Sequence, residues 1–262
     1  MNSKPLSRVK SCFLCFASVW LVVFSSAGYG ESYVGANVDS RVVLAFHANA
    51  AAIQQLLPAP WRLNPVGKGP MQGTNFFVVF GDRAIAQDPE GKPKAGGITR
   101  FVGFVAPATN PDTGQSGTMV FRIFEANSQE IPGPYSNSVL ASISRDYTYS
   151  GKNMAFGKAE ETWSAQVPGQ ADIRLAIRYQ KALPSRAQRE FHVYSAVVPS
   201  FYRIYRVDQG IDIVKSVPAS VDRLLGYDAH IDVPKFKDVF NGTEELVSVA
   251  VLPWYVRRVF LP

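Results

Sequence analysis

Short apolar runs in which every second residue is polar or small recur through most of the chain. In the clearest run, Ile173, Leu175, Ile177 and Tyr179 alternate with such residues. This period of two is typical of a β-strand with one buried and one solvated face. Similar runs occupy residues 41–46, 75–80, 99–105, 119–124, 139–149, 191–197, 201–207, 211–217 and 247–256. Many strands at short intervals predict a curved or closed antiparallel sheet, in which 201–217 forms a hairpin.

Helical patterns are few. Residues 49–57 begin with Asn49, a good N-cap residue, continue with helix formers, and end before a proline. A second short helix is predicted over 234–240, which starts with proline and is followed by Asn-Gly. Residues 89–97 are rich in Gly, Pro and Lys and predict a loop. Because no internal repeat is present, we expect one mainly β (α+β) domain over residues 31–262, with a few short helices.

The first thirty residues have the order of a secretory signal peptide. A basic start over 1–11 precedes an apolar stretch over 12–24, and small residues follow as far as Ala27 and Gly30. The apolar stretch is shorter than the roughly 20 residues that a membrane-spanning helix needs, which favours cleavage near Ala27 or Gly30 over a retained anchor. We therefore expect an exported protein, periplasmic or secreted, with no transmembrane segment in its mature chain.

Cysteine and histidine positions bear on metal and nucleophile chemistry. Both cysteines, Cys12 and Cys15, lie inside the predicted signal, so the mature chain would have no disulfide, thiolate nucleophile or cysteine metal site. His47, His192 and His230 are too far apart to form a metal-binding spacing motif. The chain also lacks a G-x-G-x-x-G or phosphate-binding loop. We predict no metal and no cofactor.

The charge pattern argues against a nucleic-acid partner. The formal net charge is +6, and loss of Lys4, Arg8 and Lys10 with the signal would leave +3. The remaining basic residues are scattered and often alternate with acids, so they form no Lys/Arg stripe. We therefore expect no binding to nucleic acid.

Three segments are similar to one known family. Residues 42–63, VVLAFHANAAAIQQLLPAPWRL, resemble the strand–helix–LLPEPL opening of acetoacetate decarboxylase-like proteins. Residues 201–262 resemble the succession of elements in the C-terminal half of that family. Between them, residues 149–159, YSGKNMAFGKA, are similar to the G-R-E-x-x-x-Y-P-K-K segment that carries the family's reactive lysine. The resemblance implies a curved antiparallel sheet closing into a cone or double β-barrel around a small, largely apolar pocket.

By the same motif, Lys158 corresponds to the lysine that forms a Schiff base with a keto acid in the family's enzymes. An amine attacks a carbonyl only when it is neutral, so the pKa of such a lysine must be lowered, partly by burial in an apolar pocket and further by a neighbouring cation. Gly157 and Ala159 replace the family's proline and second lysine, so an imine at Lys158 would have fewer groups to handle protons. The alternative is that Lys158 is an ordinary surface lysine.

Four further residues are candidate ligand contacts. Arg41 would bind a carboxylate in bidentate fashion, or it lies on the outer face of its strand. Phe77 falls near a position where the family has a pocket glutamate. Glu125 ends an apolar strand and could replace a missing pocket carboxylate, although acids at strand ends are usually solvated. Tyr202 belongs to an aromatic cluster that either lines a cavity or packs in the core.

Two functions fit these observations. The first is a Schiff-base lyase or decarboxylase that acts on a small oxo (β-keto) acid through Lys158. The second is a non-catalytic binding protein that holds a small apolar or weakly acidic ligand in the same barrel. The lysine-bearing segment favours the enzyme, and the missing second lysine and glutamates favour binding. In both cases the partner is a small molecule, and the resemblance also implies a possible homo-oligomer.

Overall fold

The structure, a computed structural model, describes residues 30–153 and 156–262, so most of the predicted signal peptide lies outside the described residues. Residues Glu31–Pro262 form one compact unit that is mainly β, which confirms the predicted fold class.

The described strands are β1 (Ser32–His47), β2 (Arg62–Leu63), β3 (Phe76–Gln87), β4 (Thr99–Thr109), β5 (Ser116–Glu125), β6 (Ser138–Leu140), β7 (Ser142–Asn153), β8 (Phe156–Val167), β9 (Ala171–Gln180), β10 (Ser185–Ser195), β11 (Tyr202–Ser216), β12 (Val221–Asp222), β13 (Leu224–Asp232) and β14 (Glu245–Leu261).

Ten of these strands form one large sheet. Its order is β2-β4-β3-β1-β14-β11-β10-β5-β6, and β12 pairs with β11. Because β5 also pairs with β4, seven strands follow one another around a ring: β4, β3, β1, β14, β11, β10 and β5. The pairs are antiparallel except those of β5 with β10 and with β6. The predicted curved, mostly antiparallel sheet is therefore confirmed.

A second, open sheet of four strands has the order β13-β9-β8-β7. Its strands alternate as the sequence predicts, with apolar side chains such as Trp163, Ile173 and Leu175 buried and their neighbours exposed. These side chains join Val42 and Leu44 of β1 in the main apolar core. The core therefore contains apolar side chains from both sheets.

Strand β1 contributes to two different interiors. Val42, Leu44 and Phe46 lie in the main core. Arg41 and Val43, which point to the opposite face, line a cavity inside the ring of strands. Because side chains alternate along a strand, one apolar-rich strand serves both a packed core and a cavity wall.

The helix prediction over 49–57 is confirmed by α1 (Ala50–Leu56). The Asn49 side chain accepts hydrogen bonds from the backbone N–H groups of Ala51 and Ala52, at 3.1 and 3.2 Å. The second predicted helix is wrong in extent, since only a single 3-10 turn forms at Pro234–Phe236. Among the residues that the structure describes, no helix is both long and apolar enough to cross a membrane.

The predicted hairpin over 201–217 is also wrong, because β11 runs through this region as one strand. Gly210, which separates the two runs 201–207 and 211–217 that suggested the hairpin, lies under the ring of Trp254. A Cβ atom at this position would lie 2.8 Å from ring atoms of Trp254. The glycine thus permits the close approach of the Trp254 side chain. The register of the pairing between β11 and β14 also shifts here, between Gln209 and Asp212.

Candidate functional site

The ring of strands encloses a cavity of about 960 Å³. Much of its wall is aliphatic, with residues such as Val43, Val79, Val105 and Ile213. The remainder carries charged side chains that are unusual for the inside of a sheet. A cavity with apolar walls and a few convergent polar groups is the usual form of a ligand-binding site.

Strand register aligns residues of this wall, together with Asp39 and Thr99 beside them, in two neighbouring rows that cross several strands. The first row consists of Thr99, Arg83, Asp39, Tyr255 and Gln209, on β4, β3, β1, β14 and β11. The second row consists of Glu125, Phe101, Gly81, Arg41 and Leu252, on β5, β4, β3, β1 and β14. Residues far apart in the chain therefore meet because paired strands place them side by side on one face.

Gly81 leaves space for an aromatic ring in the second row. A Cβ atom on Gly81 would lie 2.2 Å from the ring of Phe101, which covers the glycine. The guanidinium carbon of Arg41 lies 5.4 Å from the centre of this ring and 3.6 Å from the centre of the Tyr255 ring. Stacking on these two aromatic rings holds the cation of Arg41 at the cavity wall.

Asp39 is a buried carboxylate surrounded by arginines. Arg41 donates to Asp39 Oδ2 from Nε at 3.2 Å, and Arg83 Nε lies 3.7 Å from Asp39 Oδ1. Burial opposes the ionisation of Asp39, but Arg41, Arg257 and Arg83 outweigh it and hold the pKa of this carboxyl below its usual value. Arg83 also lies 3.6 Å from Glu130. The positive charge of Arg83 is therefore balanced by one buried carboxylate, Asp39, and one partly exposed carboxylate, Glu130.

Arg257 has a different environment, without a carboxylate partner. In the amide orientation that its neighbours favour, the Asn37 oxygen accepts from Arg257 at 2.9 Å and from Arg83 at 3.0 Å. The Arg257 guanidinium carbon lies 4.3 Å from the centre of the Tyr205 ring. Within residues 30–153 and 156–262, no carboxylate oxygen lies within 4.0 Å of Arg257. This part of the wall therefore carries a cation that is only partly neutralised.

Glu125 is a second buried acid on the wall. It accepts a short hydrogen bond from the Thr99 hydroxyl and is only 3% exposed. Burial raises the pKa of Glu125 to about 7, although Thr99 and Arg83 act in the opposite direction. Near neutral pH this group is therefore divided between its neutral and charged forms, which allows it to donate or accept a proton.

Three of the five predicted site residues, Arg41, Phe77 and Glu125, line the cavity. Glu125 is buried there, so the preferred interpretation of a solvated strand end is wrong. The register of β3 and β4 explains the place of Phe77, which lies opposite Val105 on the apolar part of the wall. Contact of these residues with a ligand stays a prediction.

Lys158 does not lie on the cavity wall. It belongs to β8 in the small sheet, where odd-numbered residues such as Ala159 and Trp163 are buried and even-numbered residues face outward. Lys158 is exposed on this outer face. The expectation that its amine projects into a pocket is therefore wrong, because the alternation of side chains directs it to solvent.

Tyr202 is also placed away from the cavity. Tyr202 packs against the main core, whereas its neighbours Arg203 and Tyr205 line the cavity. The Tyr202 ring stacks on Tyr194 with a centroid distance of 5.0 Å. The prediction that Tyr202 lines the ligand cavity is thus wrong, and the core-packing alternative describes its position.

Sequence reasoning missed four polar residues of the site: Asn37, Asp39, Arg83 and Arg257. One signal was available in β1, where Asn37, Asp39 and Arg41 occupy every second position of a strand that becomes apolar after them. That pattern places three polar groups on one face. Their convergence with Arg83 and Arg257 depends on strand pairing, which the sequence did not reveal.

Among the described residues, this cavity has neither a sheltered lysine on its wall nor a cluster of metal-binding side chains. Its wall contains two lysines among the described residues, Lys68 and Lys94, and both are exposed. Within the same part of the chain, no group of three or more His, Cys, Asp or Glu side chains could hold a metal ion. The chemistry available at the buried wall is therefore that of arginine, carboxyl, hydroxyl and aromatic groups.

Comparison with known proteins finds similarity in structure alone. No protein-family model matches the chain, and no curated protein matches its sequence. An acetoacetate decarboxylase-like enzyme from Sphingomonas wittichii RW1 superposes with a TM-score of 0.53 at 12% identity, over 87% of this chain and 90% of that one. The enduracididine biosynthesis enzyme MppR complexed with pyruvate gives 0.54 at 10% identity, over 87% and 88%. MppR with the condensation product of pyruvate and imidazole 4-carboxaldehyde gives 0.55 at 10% identity, over 88% and 87%.

Proposed function

Since this chain has the fold of the acetoacetate decarboxylase-like proteins, we propose that it is a binding protein for a weakly acidic small molecule. The ligand occupies the cavity inside the ring of strands and directs its anionic group to the arginines of the wall. This is the second of the two functions that the sequence suggested. The single observation that carries it is the group of arginines Arg41, Arg83 and Arg257 on one part of the wall, with one buried carboxylate, Asp39, paired to two of them, in a cavity whose remaining wall is largely aliphatic.

The charge of the cavity wall supports an anionic ligand. Cationic residues outnumber acidic ones among the residues that line it: Arg41, Arg83, Arg186, Arg189, Arg203, Arg257, Lys68 and Lys94 against Glu125 and Glu130. Asp39 offsets part of this excess: it forms ion pairs with Arg41 and Arg83, and its charge also acts on Arg257 from beyond 4.0 Å. A positive charge removed from bulk water attracts an anion more strongly than an exposed one does. The MppR structure with pyruvate supplies a precedent in this fold for a small carboxylate ligand.

The Schiff-base alternative lacks its essential group in this geometry. Its requirement is an amine sheltered from water, and Lys158 is exposed on the outer face of β8. Incubation with acetoacetate or pyruvate, followed by borohydride and mass measurement, is expected to give no adduct at the cavity. An adduct that disappears in Lys158→Ala would overturn the binding proposal in favour of the enzyme.

Binding is tested with matched acids and amides. We expect isothermal titration calorimetry to detect binding of some members of a carboxylate panel and of none of the corresponding amides. Arg257→Gln should weaken that binding by roughly tenfold or more, as expected for loss of a hydrogen bond between charged groups. The control is Arg258→Gln, because Arg258 is the next residue of β14 and is exposed on its other face. Equal binding of acids and amides, or equal effects of the two variants, would contradict the proposal.

We also propose that the chain is exported, as its N-terminal sequence suggests. The order of a basic start, an apolar stretch and small residues favours cleavage near Ala27 or Gly30. N-terminal sequencing of the protein from fractionated cells is expected to begin close to these residues, in the periplasmic or secreted fraction. An intact N-terminus in the cytoplasmic fraction would refute export.

A further inference from the structure

The cavity has one charged end and one apolar end, and this division specifies the ligand more narrowly. We infer that the ligand is an amphipathic carboxylate with an apolar body of about ten carbon atoms or more. The volume of the cavity sets the length of this apolar body, and the lining of the cavity sets its polarity. This inference rests on the proposed function. Short oxo acids such as pyruvate and acetoacetate would occupy only its charged end.

The change in polarity follows the strand register. The rows that contain Asn37, Asp39 and Arg41 also hold Arg257, Arg83 and Glu125 respectively. Two residues further along β1, the row through Val43 consists of residues with aliphatic or no side chains: Ile123, Gly103, Val79, Val43, Ala250 and Ile213. In the following row, Phe77 lies opposite Val105, which lies opposite Val120. On these strands the wall is therefore apolar without interruption on one side of Arg41.

The apolar end is long as well as continuous. From Gly81, beside Arg41, to Phe77 the chain of β3 covers four residues, or roughly 13 Å at the usual rise of a strand. The whole cavity measures about 960 Å³. At about 30 Å³ for a water-sized group, half of that volume accommodates more than ten carbon atoms. A short oxo acid would leave this apolar surface in contact with water.

The glycine at position 103 provides the space in the middle of the apolar end. A Cβ atom on Gly103 would meet no atom closer than the Val79 carbonyl oxygen at 4.0 Å. A leucine at this position would therefore extend into the cavity rather than into the protein. Its side chain would occupy the region between Val79 and Ile123, where we place the apolar body of the ligand.

The test compares straight-chain acids of increasing length. Calorimetry with acetate, butanoate, octanoate, dodecanoate and hexadecanoate, together with pyruvate, is made on the chain from residue 31 and on Gly103→Leu. We expect dodecanoate to bind at least about 100-fold more tightly than butanoate, since each fully buried methylene strengthens binding by up to about fourfold. Gly103→Leu should reduce the affinity for dodecanoate at least tenfold and leave that for butanoate within about twofold.

Two results would overturn the inference. If pyruvate and butanoate bind as tightly as dodecanoate, the apolar end is not used, while the proposed binding of a weak acid still stands. If dodecan-1-ol binds as tightly as dodecanoate, the carboxylate is not recognised. Failure of every acid to bind would instead refute the proposed function itself. Thermal unfolding of Gly103→Leu shows whether it is folded, and the chain-length series on the unaltered chain tests the inference without it.

Discussion

Glu125 provides the most quantitative prediction about the cavity wall. The change is Glu125→Gln, which keeps the shape of the side chain and an oxygen that can accept from Thr99. Burial raises the pKa of Glu125 from 4.5 to about 7 in the folded chain. The glutamine cannot ionise, so it removes this titration from the folded and unfolded states alike.

The sign and size of the effect follow from linkage. Below pH 4.5, Glu125 is protonated in both states and makes no pH-dependent contribution. Between pH 4.5 and about 7, the unfolded chain loses this proton before the folded chain does, so rising pH lowers the stability of the folded state. Each pKa unit corresponds to 1.36 kcal/mol, so the full effect above pH 7 is roughly 3 kcal/mol. Glu125→Gln should therefore gain about that much stability relative to the unaltered chain between pH 4 and pH 8.

The assay is urea unfolding of both proteins at several pH values between 4 and 8, with the difference in free energy of unfolding plotted against pH. Taking the difference removes the titrations that both proteins share. Glu160→Gln, which removes an exposed carboxylate from β8, controls for the change of side chain alone. Parallel stability curves for the unaltered chain and Glu125→Gln would refute the reasoning, because they would mean that burial does not perturb this carboxyl.

Two further predictions concern stability, and each has an internal control. Gly81→Ala should lower the free energy of unfolding by about 1–3 kcal/mol, because its methyl group would meet the ring of Phe101. The control, Gly103→Ala, should change the free energy of unfolding by less than about 1 kcal/mol. Equal changes for the two variants in chemical denaturation would contradict this explanation. Arg145→Met should cost about 3–5 kcal/mol, because Glu161, which accepts from Arg145 Nε at 2.8 Å, would remain buried without its cation. Adding Glu161→Gln should recover part of that loss, and an unchanged or larger loss in the double variant would count against the explanation.

The period of two in the sequence was sufficient to predict a mainly β chain, but it did not predict how long each strand is. The predicted hairpin over 201–217 illustrates the reason. Glycine marks a turn in many sequences, yet Gly210 lies within a continuous strand because the Trp254 ring covers it. The contact that decides between these two roles comes from β14, some forty positions further along the chain.

The site was less predictable than the fold for a similar reason. Arg41 was predicted as a ligand contact through the family resemblance. Its place in a cluster depends on neighbours from other strands. Arg83 lies opposite Asp39 on β3, and Arg257 lies opposite Asn37 on β14. A shift of one residue in either register would turn these side chains to the opposite face of the sheet. The sequence contains the residues of the cluster, and the register brings them together.

The position of Lys158 shows why similarity to a motif does not establish its chemistry. Even the neighbouring position would not bring an amine to the cavity. Ala159 is fully buried, but it belongs to the main core and faces away from the cavity inside the ring. Strand β8 is part of the small sheet, so neither of its faces reaches the wall that carries Arg41 and Glu125. Among the described residues that line the cavity, the lysines are Lys68 and Lys94, and both are exposed. The described lysines of the cavity wall are not sheltered from water, and for this reason we propose recognition of an anion by arginine rather than imine formation at this cavity.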